Sequence, residues 1–221
     1  MEKHLVVARY DENLDWISSC CRTFVYNKGL YSNWKFHESI ISLPNIGRET
    51  HTYLYHIVTN YHQLADLNYF VQGNPFPHTK GILFLLEQSS LQDMLPYVLP
   101  QWNLENWEKG CIALGDTIWD YDMENTDIWN RDWRNPFIKQ IYQKAFSSTL
   151  KQRYLPANYG NQFVLSRDLI RAFPLGFYKF LLQEHQKNWS LPWALEYCWL
   201  HLWSLPEQPT EFQEKDVVRM F

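Results

Sequence analysis

Asp66-Leu67-Asn68-Tyr69-Phe70-Val71-Gln72-Gly73-Asn74-Pro75-Phe76-Pro77-His78 reads as a buried strand that stops at a glycine, beyond which two prolines prevent further pairing. Two similar runs lie upstream. Leu5-Val6-Val7-Ala8 is followed at once by the polar Arg9-Tyr10-Asp11-Glu12-Asn13, and Thr23-Phe24-Val25-Tyr26 is closed by the turn-forming Asn27-Lys28-Gly29. Asp15-Trp16-Ile17 is expected to open a short helix, and residues 30–43 read as irregular. From Arg48 to Leu64, Tyr53, Leu54, Ile57, Val58 and Tyr61 recur at helical spacing with nothing to break the helix. Strand, loop, strand, helix, strand predicts an α/β domain with a mainly parallel sheet flanked by helices.

Downstream the pattern turns helical. Helices are expected over residues 82–94, over 136–154 and over two amphipathic stretches, 176–184 and 192–203. Residues 159–167 read as a short strand leading into a helix capped by Ser166 or Asp168. Residues 111–135 are acidic and Trp-rich, and 206–221 read as a loose polar tail. A single domain over residues 1–205 follows.

Composition narrows the function classes. The 221 residues are 46% hydrophobic and 20% charged, a globular balance. With 20 Lys+Arg against 24 Asp+Glu and no basic run, a nucleic-acid surface is disfavoured. The longest apolar stretch, Ile82 to Leu86, is far short of the roughly 18 residues a membrane-spanning helix needs. The opening Met-Glu-Lys-His lacks the pattern of a signal peptide. Cys20, Cys21, Cys111 and Cys198 form no CxxC pair, so reduced thiols in a cytoplasmic protein are expected. Aromatic residues reach 17%, and nine of the 11 Trp lie after residue 100. They either fill the core or build a wall for a sugar ring, and composition does not choose between these.

Open sheets of this kind collect ligands at the carboxyl ends of their strands. All three strands end in polar loops, at 9–13, 27–29 and 72–78, so Arg9, Tyr10, Asp11, Asn27, Lys28, Gln72, Asn74 and His78 are candidates. Asn45 and Gly47 lead into a helix that begins Arg48-Glu49, where free backbone N–H groups and the Arg48 guanidinium suit a phosphate. Plain capping by Asn45 or Thr50 accounts for the same residues equally well. Gly-x-Gly-x-x-Gly, the P-loop, His-Glu-x-x-His and Gly-x-Ser-x-Gly signatures are absent, and His51 and His56 are five apart, so zinc chemistry is not expected. In Pro192-Trp193-Ala194-Leu195-Glu196-Tyr197-Cys198-Trp199, a carboxylate among rings would hold its proton more tightly and serve as a general base. The alternative is that Glu196 simply pairs with Arg167.

Taken in order, VVARYDENLDWI, YNKG, LPNIGRETHTYLYHIV, FVQGNPFPH, GNQFVLSRDLI and PWALEYCWLHLW resemble a family of small proteins labelled a domain of unknown function. Its members occur in bacteria, fungi and large algal viruses. That family is similar to the amino-terminal module of a chlorella virus capsid glycosyltransferase. The resemblance covers residues 5–78 and 159–203 and implies a GT-A fold and a UDP- or GDP-linked sugar donor. It implies a donor half at about 1–80 and an acceptor half at about 81–205, with Ala8 to Asp11 holding base and ribose. It puts the metal-binding DxD position at Gln72-Gly73-Asn74, where no carboxylate stands, so a Mn²⁺ or Mg²⁺ role at Asn74 is left open. Asp120-Tyr121-Asp122 is a literal DxD with no clear strand to carry it. Similarity of GNQFVLSR to metal-independent enzymes of that fold implies Glu196 as the base of an inverting transfer. Arg48, Arg167 and Lys28 would then neutralise the leaving diphosphate, with Gln162, His78 and Trp193 near the acceptor or leaving group.

The expectation is a transferase moving a hexose or deoxyhexose from a nucleoside diphosphate sugar to a glycan or glycoprotein. The alternatives are a non-catalytic nucleotide- or sugar-binding module, and a glycoside hydrolase pairing Glu196 with a carboxylate between Asp116 and Asp127.

Overall fold

β1 (Lys3–Arg9), β2 (Arg22–Asn27) and β4 (Leu67–Gln72) form on the three apolar runs, with β1 in the middle and parallel to both neighbours. A computed structural model describes residues 1–17, 20–30, 40–124, 134–146, 150–189 and 191–205. The expected tail at 206–221, Asp127 and residues 31–39 lie outside the described residues. β3 (Ile40–Ser42), within the stretch read as irregular, adds a short parallel strand beside β2. β8 (Phe163–Ser166) pairs antiparallel to β4, and β5 (Cys111–Ala113) antiparallel to β8, giving the order β3-β2-β1-β4-β8-β5.

Both faces of this sheet are covered, which is why β1 and β4 carry the consecutive apolar residues 5–8 and 69–71 and not an alternating pattern. Val6, Phe24 and Phe70 point to one side, where they bury against Tyr53, Leu54 and Ile57 of α1 (Arg48–Asn60). Leu5, Val7, Tyr69 and Val71 point to the other, against Ile82, Leu85 and Leu86 of α2 (Ile82–Glu87) and Leu91 and Met94 of α3 (Leu91–Met94). α4 (Pro100–Asn106) closes the β5 edge: the Asn103 side chain donates to Ala113 O (3.1 Å) and accepts from Ala113 N (2.8 Å). An amide thus pairs where another strand would otherwise dock.

On the α1 side lies a second layer. It holds β6 (Ile118–Asp122) paired with β7 (Tyr154–Asn158), and α5 (Arg134–Phe146), α6 (Arg167–Ala172), α7 (Leu175–Lys187), α8 (Leu191–Glu196) and α9 (Trp199–Ser204). Trp199 and Trp203 stack at 4.6 Å and 8°, and both are buried there, with Trp203 edge-on to Phe163. Truncating such a ring to alanine typically costs about 3–5 kcal/mol, so part of the tryptophan surplus is core.

Several elements depart from the sequence pattern for local reasons. Residues 15–16 form a turn in place of the expected short helix. The 82–94 helix divides, because Gln88 is extended (φ −65°, ψ 142°) and Ser90 caps α3 by accepting from Asp93 N. α5 covers the first part of the expected 136–154 helix, but at Tyr154 the chain is paired as β7. Cys198 (φ −126°, ψ −11°) separates α8 from α9 within 192–203. Ser166 is the cap of α6, accepting from Leu169 N at 3.1 Å. Asp120-Tyr121-Asp122 does lie on a strand, but in the small sheet. Among the described residues no helix is long and apolar enough to cross a membrane.

Burial pushes four imidazoles far below their usual range. His51 and His56 fall to about 3, and His185 and His201 to about 4. Each is neutral in the fold but takes up a proton near pH 6.5 once unfolded, so below that pH the unfolded chain binds more protons. Stability should therefore decline as pH is lowered from 7.5 to 5, by up to about 1.4 kcal/mol per pH unit per histidine. Urea unfolding across that range measures it, and a flat profile would contradict the buried neutral imidazoles.

Candidate functional site

Topology gathers the polar loops. β1 to β5 all run the same way within the main sheet, so their carboxyl ends open on one edge, where α1 and β8 also begin. Backbone hydrogen bonds carry the ladder past the strands: Lys28 N to Arg9 O (2.9 Å), Leu43 N to Asn27 O (2.9 Å) and Gly73 N to Ala8 O (2.8 Å). Asp116 N reaches His78 O at 2.7 Å and Leu114 N reaches Gln162 O at 3.0 Å. The expected loops are thus fixed relative to one another.

Several candidate residues turn out to brace this edge. Arg9 is buried and donates to Glu12 O (3.0 Å), Tyr10 O (3.2 Å) and Asn27 Oδ1, while Asn27 Nδ2 donates to Gly29 O (3.0 Å). Lys28 Nζ donates to Ile46 O (2.7 Å) and to Arg48 O, tying the end of β2 to the start of α1. Burial pulls the Lys28 ammonium down to about 8, with the Glu49 carboxylate opposing the shift. Gln162 is buried and its Nε2 donates to Pro75 O (3.1 Å) and Thr79 Oγ1 (3.2 Å), holding the 72–79 loop. A buried donor has to find an acceptor, and these four find theirs inside the protein.

The start of α1 presents the outward chemistry. Gly47 (φ 62°) and Arg48 (φ 49°) are both left-handed, and no side chain caps the helix, so neither Asn45, which is exposed, nor Thr50 acts as the expected cap. A Cβ on Gly47 would sit 2.5 Å from the His185 ring and 2.6 Å from His51 Cβ, so only glycine fits. The Arg48 guanidinium is 44% exposed, lies 4.0 Å over the Trp193 ring, and has Nε 3.5 Å from Glu49 Oε2. α8 packs on α1, and it carries Glu196 one turn beyond Trp193. Burial, with smaller contributions from the Glu49 and Glu196 carboxylates, raises the Tyr53 hydroxyl well above its ordinary pKa. Arg48, Glu49 and Trp193 therefore form one cluster with Glu196 on the neighbouring helix α8, and of these only Glu49 had no functional reading in the sequence.

Behind it His51 and His185 lie 6.2 Å apart between ring centroids, with His51 Nδ1 and His185 Nε2 buried and without hydrogen-bond partners. His185 Nδ1 bonds Leu181 O at 2.8 Å, which leaves its Nε2 as an acceptor. The sequence reading passed over this pair, because 134 residues separate the two rings and only the packing of α7 on α1 joins them.

Arg167 is not part of the cluster. It pairs with Asp66 (2.9 Å) before the start of β4, about 17 Å from the Gln72 end at the strand rise of roughly 3.3 Å per residue. It is neither the partner of Glu196 nor a neighbour of the strand-end loops. Gln72 is half-buried and Asn74 exposed; the carboxylate beside them is that of Glu12, whose Oε2 accepts from Tyr10 N (2.7 Å) and rests on Gly73. Two amides and one engaged carboxylate do not fit a resident Mn²⁺ or Mg²⁺. Among the described residues no three His, Cys, Asp or Glu side chains gather as a metal site. Asp122 of the literal DxD is held by Arg153 through two 3.0 Å bonds, which lower its pKa.

The turn Tyr159–Asn161 closes the cluster. Gly160 (φ 77°) lies under His78, and a Cβ there would be 2.6 Å from that ring. Asn161 (φ 52°) donates from Nδ2 to Thr50 Oγ1 at 3.2 Å, joining the turn to α1. Tyr159 stacks on Trp119 at 5.7 Å.

Two substitutions separate bracing from surface pairing. Lys28→Met strands two carbonyls and should cost about 1–3 kcal/mol in urea unfolding. Arg167→Ala, whose ion pair is one-third exposed, should cost about 1 kcal/mol or less and leave ligand binding at the opposite edge unchanged. A binding defect in the Arg167 variant would contradict this placement.

No curated protein and no solved structure matches the chain. A family model described as "Protein of unknown function (DUF3431)" matches residues 5–216, nearly the whole sequence. The chain belongs to that family.

Proposed function

We propose that this protein is a GT-A-like glycosyltransferase that moves a hexose or deoxyhexose from a UDP- or GDP-linked donor to a glycan or glycoprotein. The observation that carries the reading is Arg48 held between Trp193 and Glu49 beside the carboxyl-edge loops of a mostly parallel sheet, with Glu196 on the helix α8 that packs on α1. Base and ribose would lie along residues 8–11, where Tyr10 and Asp11 are exposed, and the sugar near Gln72, Asn74 and His78. Four free cysteines suit a cytoplasmic setting.

In the transfer, Glu196 takes the proton of the acceptor hydroxyl as that oxygen bonds the anomeric carbon. The bond from that carbon to the diphosphate oxygen breaks, and its electron pair leaves with the diphosphate. Arg48, fixed over Trp193, stabilises that developing charge together with the uncapped start of α1. Lys28 acts indirectly, by holding the Arg48 backbone. The absence of carboxylates at Gln72-Gly73-Asn74 and the engagement of Arg9 and Lys28 favour, as the second reading, a binding module without turnover.

A thermal-shift series with UDP and GDP, with and without Mn²⁺, tests the donor site. Saturation at about 100 times Kd should add roughly 2.7 kcal/mol to stability. No shift with either nucleotide at millimolar concentration would remove the donor assignment.

Glu196→Gln keeps size and most hydrogen bonds but cannot accept the proton. Its kcat should drop by about 10²–10⁴ with the nucleotide shift retained. Near-normal turnover per folded molecule would exclude Glu196 as the base.

A further inference from the structure

We propose that Trp119 and Tyr159 form a stacking platform for a pyranose ring of the acceptor glycan, an inference that rests on the transferase reading above. Tyr159 is 52% exposed, and its ring is stacked on Trp119 at 5.7 Å and 27°. Trp119 in turn stands edge-on to Tyr197 (5.3 Å, 85°), which stacks on the buried Tyr121 at 4.4 Å. The outer ring is thus backed by a continuous row of aromatics and presents one flat apolar face.

The backbone beneath it is fixed. Ile118 pairs with Asn158 and Trp119 with Ala157 in the small sheet, and Tyr159 N donates to Thr117 O at 3.3 Å. A rigid, pre-positioned ring loses little entropy when a ligand lands on it.

Position and charge select the occupant. Tyr197 directly follows Glu196, and Tyr159 begins the turn whose next two residues touch His78 and Thr50, so the platform borders the proposed base and the donor loops. Asp116 and Thr117 are exposed in the turn whose Thr117 O holds Tyr159 N, while Asp120 points to the other face of β6 from Trp119. The Asp116 carboxylate repels phosphate, which disfavours a nucleotide or nucleic acid, but it accepts readily from hydroxyl groups, as does the Thr117 hydroxyl. An apolar face with acceptors beside it matches a neutral sugar, whose C–H face lies on the aromatic ring while its hydroxyls point outward.

The test titrates the nucleotide-free protein with cellotriose, maltotriose, mannotriose and chitotriose, read by tryptophan fluorescence and saturation-transfer NMR. At least one trisaccharide should bind. Tyr159→Ala should weaken that binding about tenfold, and Tyr159→Phe, which keeps the ring, should stay within about twofold. No binding of any of the four at about 20 mM, or equal binding by Tyr159→Ala, overturns the platform. The UDP and GDP shifts, run on the same samples, should be equal in wild type and Tyr159→Ala. Saccharide binding that depends on Tyr159 with no nucleotide shift upholds the platform and removes the donor site. A nucleotide shift with no saccharide binding does the reverse.

Discussion

The turn at residues 159–162 is the constraint on which the candidate site depends. Four consecutive residues reach three parts of the protein: Tyr159 the small sheet, Asn161 the start of α1, and Gly160 and Gln162 the 72–79 loop, at His78 and at the carbonyl of Pro75. Such divergence within four residues requires two left-handed backbones in succession, at Gly160 and Asn161. Glycine adopts that conformation freely and asparagine tolerates it, so residue type and geometry agree. The turn thus adds to the packing of α7 and α8 on α1 and to the Asp116 N–His78 O bond in holding the second layer against the strand-end loops.

Around the turn, the sheet edge divides its polar groups into those used inward and those left outward. Arg9, Asn27, Lys28 and Gln162 are deeply placed, and each satisfies backbone carbonyls or a neighbouring side chain. Leaving such groups unpaired would cost about 1–3 kcal/mol apiece, so burial itself directs them to bracing. The side chains of Arg48, Tyr10, Asp11 and Asn74 are more exposed than these braces, and of these four residues Tyr10 and Arg48 join the network through their backbone carbonyls. A scaffold of buried braces with exposed reactive groups keeps a site rigid before anything binds.

The tryptophan surplus resolves along the same line. Trp102, Trp199 and Trp203 are buried fillers of the α1-side core. Trp119 and Trp193 are only half-buried and lie at the cluster, one under Tyr159 and the other under Arg48. The core reading of the aromatic content holds for the buried rings, the half-buried pair is what the proposed sugar platform draws on, and composition could not have apportioned them.

The sequence by itself determined the three long parallel strands, the helix between the second and third, and the edge on which the candidate site lies. Apolar runs at 5–8, 24–26 and 69–71 demand burial on two faces, and the helical period from Arg48 demands an intervening helix. Parallel strands then have to end together, so the loops at 9–13, 27–29 and 72–78 were legible as neighbours before any packing was known. Short elements were not legible: β3 and β5 are three residues each, too brief to show a period, and only their pairing partners define them. Nor could spacing reveal that Arg167 faces the far end of the sheet, because an antiparallel β8 delivers its last residue to the start of β4. The meeting of Arg48 with Trp193, and of His51 with His185, was decided by tertiary structure alone. Helix periodicity says which face of a helix is buried, but the helix it packs against is chosen by shape and burial across the whole chain.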